Sequence, residues 1–360
     1  LASYKEEILR NILDQIDDNV SKRVVILIDG LDEYDRHGGR LKDITELITG
    51  NFKNITFIVS SRPECPKISS RSIRINIEGF EPEKIKKYFI KLRSNHPEIT
   101  KRIIEENFIK KIYEKSENGN VNYLYNLKQD FLEGKTTEYL KNPDQIPKGL
   151  YEIYGRWFQE RVLEKYRNME QILIFKNLLG VLALIKEEIS LNHLENIFNE
   201  EDASEMFEDI QRFCIEIKKE DEKYYRYHHD SFREFILNAK KNKKFRIKKQ
   251  NQIAIHKEIC EYIKQNYQKD SWKLHYNYRH LTEHYYEIWQ LTKKERDAQK
   301  VFEIVSPSRR WEKVRELGND FSFQKNDLGY AIKASLELGK EGIFELIKYC
   351  YLYSILKSMH

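Results

Sequence analysis

Val24-Val25-Ile26-Leu27-Ile28 is a run of five apolar, mostly β-branched residues with no polar position inside it. A strand with one wet face alternates apolar with polar residues, so an unbroken run predicts a strand buried on both faces of a parallel sheet. Three carboxylates, Asp29, Asp32 and Glu33, follow within five positions of its C-terminal end. In open α/β sheets that end is where ligands bind. A carboxylate there can hold Mg²⁺, a hard ion that takes oxygen ligands and shares them with substrate phosphates. Gly30 allows the sharp turn that brings Asp32 and Glu33 near the same space, where either can position or polarise an attacking water.

The neighbouring segments supply half of a doubly wound domain. Ile8, Leu9, Ile12, Leu13, Ile16 and Val20 recur at helical spacing and predict an amphipathic helix ending near Asp17-Asp18-Asn19. A second helix carrying Leu41, Ile44, Leu47 and Ile48 precedes Asn54 to Val59, again a buried-type strand. That strand runs into Ser60-Ser61-Arg62-Pro63, where Pro63 stops it and holds Arg62 extended. A guanidinium beside the first strand end matches phosphate oxygens bidentately, which makes Arg62 a candidate γ-phosphate sensor. Ile73, Ile75 and Ile77 alternate and predict a third strand nearer the sheet edge.

From Gly79 the pattern turns helical, first with Pro82 to Ile90, then Phe108 to Ile112 and Val121 to Phe131. Gln145 to Leu150 breaks it and opens a long helix through Trp157 and Val162. Helices are expected over Phe175 to Ile185, from Ser190 through Ile197, and over Ala203 to Phe213, followed by β-like runs Cys214 to Ile217 and Tyr224 to Tyr227. Three helices and a hairpin describe a winged helix. Ser231 and Glu234, opening the next helix, have capping-box spacing. The basic run Lys240 to Lys249 is expected to be a solvated helix face or linker, with a phosphate-backbone contact as the competing reading. The remainder reads as helices rich in Tyr, without a repeat of fixed period.

Composition narrows the class. Charged residues make up 34% and hydrophobic ones 40%, with only 14 Gly and 7 Pro, which is a helix-rich globular balance rather than a disordered one. The longest near-continuous apolar run, Leu178 to Ile185, is too short to span a bilayer, so no membrane is expected. Cys65, Cys214, Cys260 and Cys350 stand isolated, which argues against a zinc site or a disulfide framework and makes a cytoplasmic location the economical expectation. The charge of +5 is a small difference between 63 basic and 58 acidic residues and gives nucleic acid little support as a partner. The chain begins with Leu1 inside a predicted helix, the pattern of a piece of something longer.

Five segments, in this order and spacing, resemble the NACHT class of STAND signalling NTPases over roughly Lys22 to Leu237. They are Asp29-Gly30-Leu31-Asp32-Glu33 as a Walker B element, Ser60 to Pro63, Asn118 to Tyr125, Ile146 to Tyr151 with Tyr154, and His229-x-Ser231-Phe232-x-Glu234-Phe235. The resemblance implies ATP/ADP and Mg²⁺ as cofactors. Asp29 would then be the magnesium residue, Asp32 and Glu33 the distal acidic pair, and Arg62 the terminal-phosphate sensor. Pro147 would lie near the base. His229 would contact the β-phosphate of ADP, and it precedes a helix N-terminus, where phosphate is favoured.

The chain departs from the family in one respect. No G-x-x-x-x-G-K-[S/T] motif precedes Val24, and the 23 residues before it are too few for strand, loop, helix and next strand. Gly134-Lys135-Thr136 is a decoy, because residue 129 is Gln and no strand precedes it. The chain on its own is therefore expected to bind nucleotide poorly, and ATP hydrolysis is expected of the full-length protein.

The expected fold class is α/β followed by mostly α. A partial NACHT nucleotide-binding domain, the C-terminal half of a P-loop NTPase sheet, covers 1–78; a helical lid covers 79–160, a winged helix 161–240, and a helical region leading to a C-terminal sensor 241–360. The family implies an ATP-dependent switch that senses a ligand, expected to be a protein, and homo-oligomerises to activate an effector, as in bacterial defence against phage. Two alternatives are a winged-helix transcriptional regulator and a nucleotide-free scaffolding relative. The balance of acidic residues in Glu201 to Phe213 weighs against a DNA reader.

Overall fold

The apolar spacing near the N-terminus forms helix α1 (Ala2–Asn19), and the two buried-type runs form strands β1 (Val24–Ile28) and β2 (Ile55–Val59). The computed structural model describes residues 2–19, 22–28, 48–50, 52–61, 73, 75, 78–91, 97, 101, 103–166, 168–198, 203–219, 222–238, 242–265, 271–306, 311–312 and 322–358. The chain divides into two units, Leu1–Ile77 and Glu78–His360.

In the first unit β1 and β2 pair in parallel, with Val24 opposite Ile55 and Ile28 opposite Val59. Leu13 and Ile55 are buried together, and Ile16, Val24, Ile26, Phe52 and Phe57 pack around them. Asp17, at the end of α1, ties the helix to the β2 approach. Its carboxylate accepts the backbone N–H of Lys53 at 2.8 Å and that of Asn54, and these bonds hold its pKa below the ordinary value. The expectation of a strand buried on both faces is not met. Val25 and Leu27 are 51% and 72% exposed, and Ile58 on β2 is 55% exposed. Among the described residues one helix packs on one face of the β1–β2 pair, and the residues pointing the other way are open. The helix over Leu41 to Ile48 falls outside the described residues except for Ile48. Of the expected third strand only Ile73 and Ile75 are described, both exposed and outside any strand.

The second unit opens with α2 (Pro82–Ile90), α3 (Glu106–Lys115) and α4 (Val121–Asp130). A wide turn at Phe131–Lys135, containing Gly134 at φ 95°, leads into α5 (Thr136–Lys141) and then α6 (Leu150–Trp157). The Gly-Lys-Thr sequence thus serves a kink between helices, where Lys135 is paired with Glu160. Next come α7 (Met169–Leu184), β3 (Ile189–Ser190), α8 (Leu191–Phe198), α9 (Ala203–Ile210), β4 (Cys214–Lys219), β5 (Glu222–Tyr227) and α10 (Asp230–Leu237). The three strands form one antiparallel sheet in the order β3-β5-β4. Helices α11 (Lys249–Lys264), α12 (Ser271–Thr292), α13 (Glu295–Val305), α14 (Ser322–Leu338) and α15 (Ile343–Ser358) complete it.

A shared core runs from α2 to α12, with an aromatic centre in which Phe213 stacks on Phe232 at 4.0 Å and meets Trp157 edge-on at 4.6 Å. A second cluster, built on Trp289, Phe302, Leu328 and Tyr349, joins α12 to α15. The described part of the basic run, Asn242 to Lys248, is a packed connection rather than a free linker. Phe245 stacks on Phe158 at 4.7 Å, Ile247 is buried, and Asn242 Nδ2 donates to the Phe235 carbonyl at 2.9 Å. Cys214, Cys260 and Cys350 are free thiols. Among the described residues no helix is long and apolar enough to cross a membrane, and no His/Cys/Asp/Glu group is arranged to hold a metal.

Candidate functional site

The N-terminus of α10 is capped by a side chain that sequence patterns do not flag as a cap. His229 is extended, and its Nδ1 accepts the Ser231 backbone N–H at 3.0 Å. The capping box expected from Ser231 and Glu234 does not form, because the helix starts at Asp230 and Ser231 supplies the orphan N–H. Glu234 instead accepts from the Tyr151 hydroxyl at 3.2 Å.

Ser231 Oγ is the meeting point of three segments distant in sequence. Asn122 Nδ2, on α4, donates to it at 2.9 Å, the Tyr154 hydroxyl on α6 lies 2.9 Å away, and His229 Nδ1 lies 2.8 Å away. Asn122 Nδ2 also reaches the Tyr154 hydroxyl oxygen at 3.3 Å. One proton arrangement engages every group, with the single Nδ1 lone pair of His229 shared between the N–H and O–H of Ser231. Asn122 and Tyr154 donate to the two lone pairs of Ser231, and Ser231 donates to His229 Nδ1. With Nδ1 accepting, the ring N–H is on Nε2, and His229 is exposed. Burial pushes the Tyr154 hydroxyl up to about 12, so it stays a donor at any physiological pH.

The other two segments reach this node through local geometry. Glu117, Asn118 and Gly119 all have positive φ, at 53°, 63° and 81°. Gly119 N donates to Ser116 Oγ at 2.9 Å, its carbonyl accepts the Phe80 N–H at 2.7 Å, and Asn120 Oδ1 then caps α4 by accepting the Tyr123 N–H at 3.1 Å. Pro147 is buried, and its carbonyl accepts the Tyr123 hydroxyl at 2.6 Å. Gly149, at φ 74°, donates its N–H to the Lys115 carbonyl at 2.8 Å and starts α6. Pro147 and the Ser231–His229 pair are therefore held by adjacent residues of α4, Tyr123 and Asn122.

Asp29, Asp32, Glu33 and Arg62 lie outside the described residues. The parallel register does bring the two strand ends that precede them together, with Ser60 N donating to the Ile28 carbonyl at 2.8 Å. Where the residues are described, the donor set suits an anion in one respect. The outward Nε2–H of His229 stands at the positive end of a helix. Asp230 in the first turn works against it.

Beside this node Arg212 crosses from the turn after α9 to α4 and beyond it. It meets Asp130 at 3.2 Å and Glu133 at 2.8 Å, and Glu133 also pairs with Arg161 at 2.9 Å. Sequence reasoning quoted Asn122, Tyr154 and Ser231 only as members of motif segments, and it missed Arg212. Each acts across 32 to 109 residues of chain, a relation that local periodicity does not carry.

No family model matches the chain, and no curated protein matches it. Among solved structures it is similar to a Signal Transduction ATPase with Numerous Domains (STAND) protein with a tetratricopeptide repeat sensor from Pyrococcus horikoshii. The two share 13% identity with a TM-score of 0.41, over 98% of this chain and 52% of that one. The chain thus spans about half the length of that structure.

Proposed function

We propose that this chain is the central module of a STAND-type signalling NTPase of the NACHT kind, a switch that adenine nucleotide and Mg²⁺ hold and release. The observation that carries the reading is the convergence on Ser231. Three sequence segments that resemble the family, around Asn122, Tyr154 and His229, are unrelated locally yet meet at one hydroxyl. A purely structural core has no need to gather polar residues from three motifs at an exposed histidine.

In this reading Asp29 is the magnesium residue, Asp32 and Glu33 orient water, Arg62 reads the terminal phosphate, and Pro147 borders the base. His229 donates from Nε2 to a phosphate oxygen, and the Ser231 node holds the ring so that this N–H faces outward. Mg²⁺ supplies charge neutralisation between phosphates when bound. Segments 79–160 and 161–240 act as lid and winged helix, and 241–360 leads to a sensor for a protein ligand. Homo-oligomerisation then activates an effector, with defence against phage as the setting. The regulator alternative is disfavoured by α9, which buries Met206, Phe207 and Ile210 and leaves Glu205 and Glu208 exposed, an unsuitable surface for DNA phosphates.

Titration of the chain with Mg-ADP, followed through the His229 ring resonances, tests this. Shifts at nucleotide concentrations up to about 1 mM, with affinity weakened roughly tenfold in His229→Gln, are expected. Resonances that stay in place, or an unaltered affinity in the variant, would count against the reading.

A further inference from the structure

Seven of the ten residues from 240 to 249 are basic, and packing decides where the described ones face. The Phe245 N–H donates to Asn242 Oδ1 at 2.7 Å, the Ile247 N–H donates to the Ile236 carbonyl at 2.9 Å, and both apolar side chains are buried. Pinned this way, the segment leaves Lys243, Lys244, Arg246, Lys248, Lys249 and Gln250 at the surface, five cations and one amide with no apolar side chain among them. Nothing among the described residues neutralises these cations. Lys244 Nζ donates to a neutral amide oxygen, Gln159 Oε1, at 2.7 Å, and the other four make no ion pair. Elsewhere in the same unit Lys165, Lys186 and Arg212 each meet a carboxylate, at 2.7, 2.9 and 3.2 Å.

Local electrostatics works against this gathering of like charge. Lys176 on α7 has its pKa lowered by burial and then by the charge of Lys248, and Lys248 and Lys249 stand at the N-terminal end of α11, which has no acidic residue in its first turn and disfavours cations. We infer that this ridge is a docking surface for the phosphate backbone of a nucleic-acid duplex, held without reading base sequence. Lysine is depleted from protein–protein interfaces, and a membrane-bound surface needs apolar side chains, which the ridge does not present. A single strand would call for aromatic platforms, and Phe245 is turned into the core. Lys and Arg contacts to phosphates fix position and carry no sequence information. Residues 243–249 span at most about 20 Å, over which a duplex offers about one charge per 1.7 Å of its axis. Because the core already fixes the backbone, docking orders only side chains. This surface lies apart from acidic α9 and does not rest on the nucleotide reading.

Fluorescence anisotropy of a labelled duplex of about 20 base pairs, as DNA and as RNA in separate arms, titrated with the whole chain without nucleotide, tests the ridge. A Kd of about 1 to 100 µM near 0.15 M salt is expected, alike for unrelated sequences, with a slope of about −4 in log affinity against log salt. Binding in one arm alone assigns the duplex as DNA or RNA. Lys243→Gln, Arg246→Gln and Lys248→Gln together are expected to weaken binding about tenfold or more and to flatten the slope by about 3, at an unchanged unfolding midpoint. Lys249→Gln alone should flatten it by about 1. Lys84→Gln, Lys110→Gln and Lys340→Gln together remove the same charge from exposed positions elsewhere and are expected to leave affinity unchanged. The inference is overturned if neither duplex binds at about 0.05 M salt, if the ridge variants bind as the native chain does, or if the second triple variant loses as much. Binding to vesicles of about 30% phosphatidylserine with none to either duplex also overturns it. Each result leaves the nucleotide titration of His229 to be judged separately.

Discussion

The Arg212 guanidinium and the Asp130 carboxylate face each other at 3.2 Å with side chains 10% and 3% exposed, and they stand 82 positions apart in the chain. Burial raises the Asp130 pKa, and Arg212 only partly offsets it, so the pair exists because each charge answers the other's desolvation. Asp130 also accepts from the Tyr139 hydroxyl at 3.1 Å, which in turn accepts from Arg156 at 3.1 Å.

Removing one partner should therefore cost more than removing both. Arg212→Ala leaves a buried carboxylate and is expected to destabilise the chain by about 3 kcal/mol. Asp130→Asn combined with Arg212→Ala should lose clearly less than the sum of the single changes. Urea unfolding of the four proteins measures this, and additive losses would contradict the buried-pair account.

A second prediction concerns the joint between the β3-containing segment and the later helices. The Lys186 N–H donates to the Tyr276 hydroxyl at 3.0 Å, that hydroxyl lies 2.7 Å from His284 Nε2, and His284 Nδ1 lies 2.7 Å from His256 Nδ1. In the direction that leaves no hydroxyl proton idle, Tyr276 donates to His284 Nε2 and His284 Nδ1 donates to His256 Nδ1. Burial holds both histidines neutral, with His256 lowered to about 3 and His284 well below its ordinary value. Their folded pKa values lie below the unfolded ones, so the unfolded chain takes up protons first, and stability falls as pH drops below about 6.5. Two protons correspond to about 2.7 kcal/mol per pH unit. His280 works the other way. Burial opposes its charge, but bonds to Glu187 and Glu283, both at 3.1 Å, outweigh that and raise its pKa. Its contribution is full below about 6.5 and is lost as pH rises through the raised value. Denaturant midpoints between pH 7 and pH 5 should fall steeply in the native chain, and more gently when His256 and His284 are both replaced by Phe.

The third prediction compares two glycines with positive φ. A Cβ on Gly119 would sit 2.0 Å from the Phe80 carbonyl oxygen, a backbone atom, whereas on Gly149 it would sit 2.7 Å from Glu117 Oε1, the end of a flexible side chain. Both alanine variants carry the left-handed strain of about 1 kcal/mol. Gly119→Ala should lower the thermal midpoint clearly further, because Phe80 cannot yield without moving α2. Equal losses would mean that the turn adapts.

The apolar spacing of residues 8–16, the unbroken runs at Val24 and Asn54, and the order of three helices and a hairpin over 169–227 were legible because each is local. Period and length decide a helix or strand before any long-range contact forms. The Asn120 cap and the left-handed turn at Gly119 follow from the same short-range chemistry. Tertiary structure alone decided the rest. Local pattern does not say that β1 would leave Val25 and Leu27 open, since burial depends on which layer covers a face. Nor does it say that Phe245 and Ile247 would pin a basic run into the core, or that Ser231 would gather Asn122, Tyr154 and His229. A hydroxyl's partners are chosen by where helices pack, and polar groups show no period that would announce the choice.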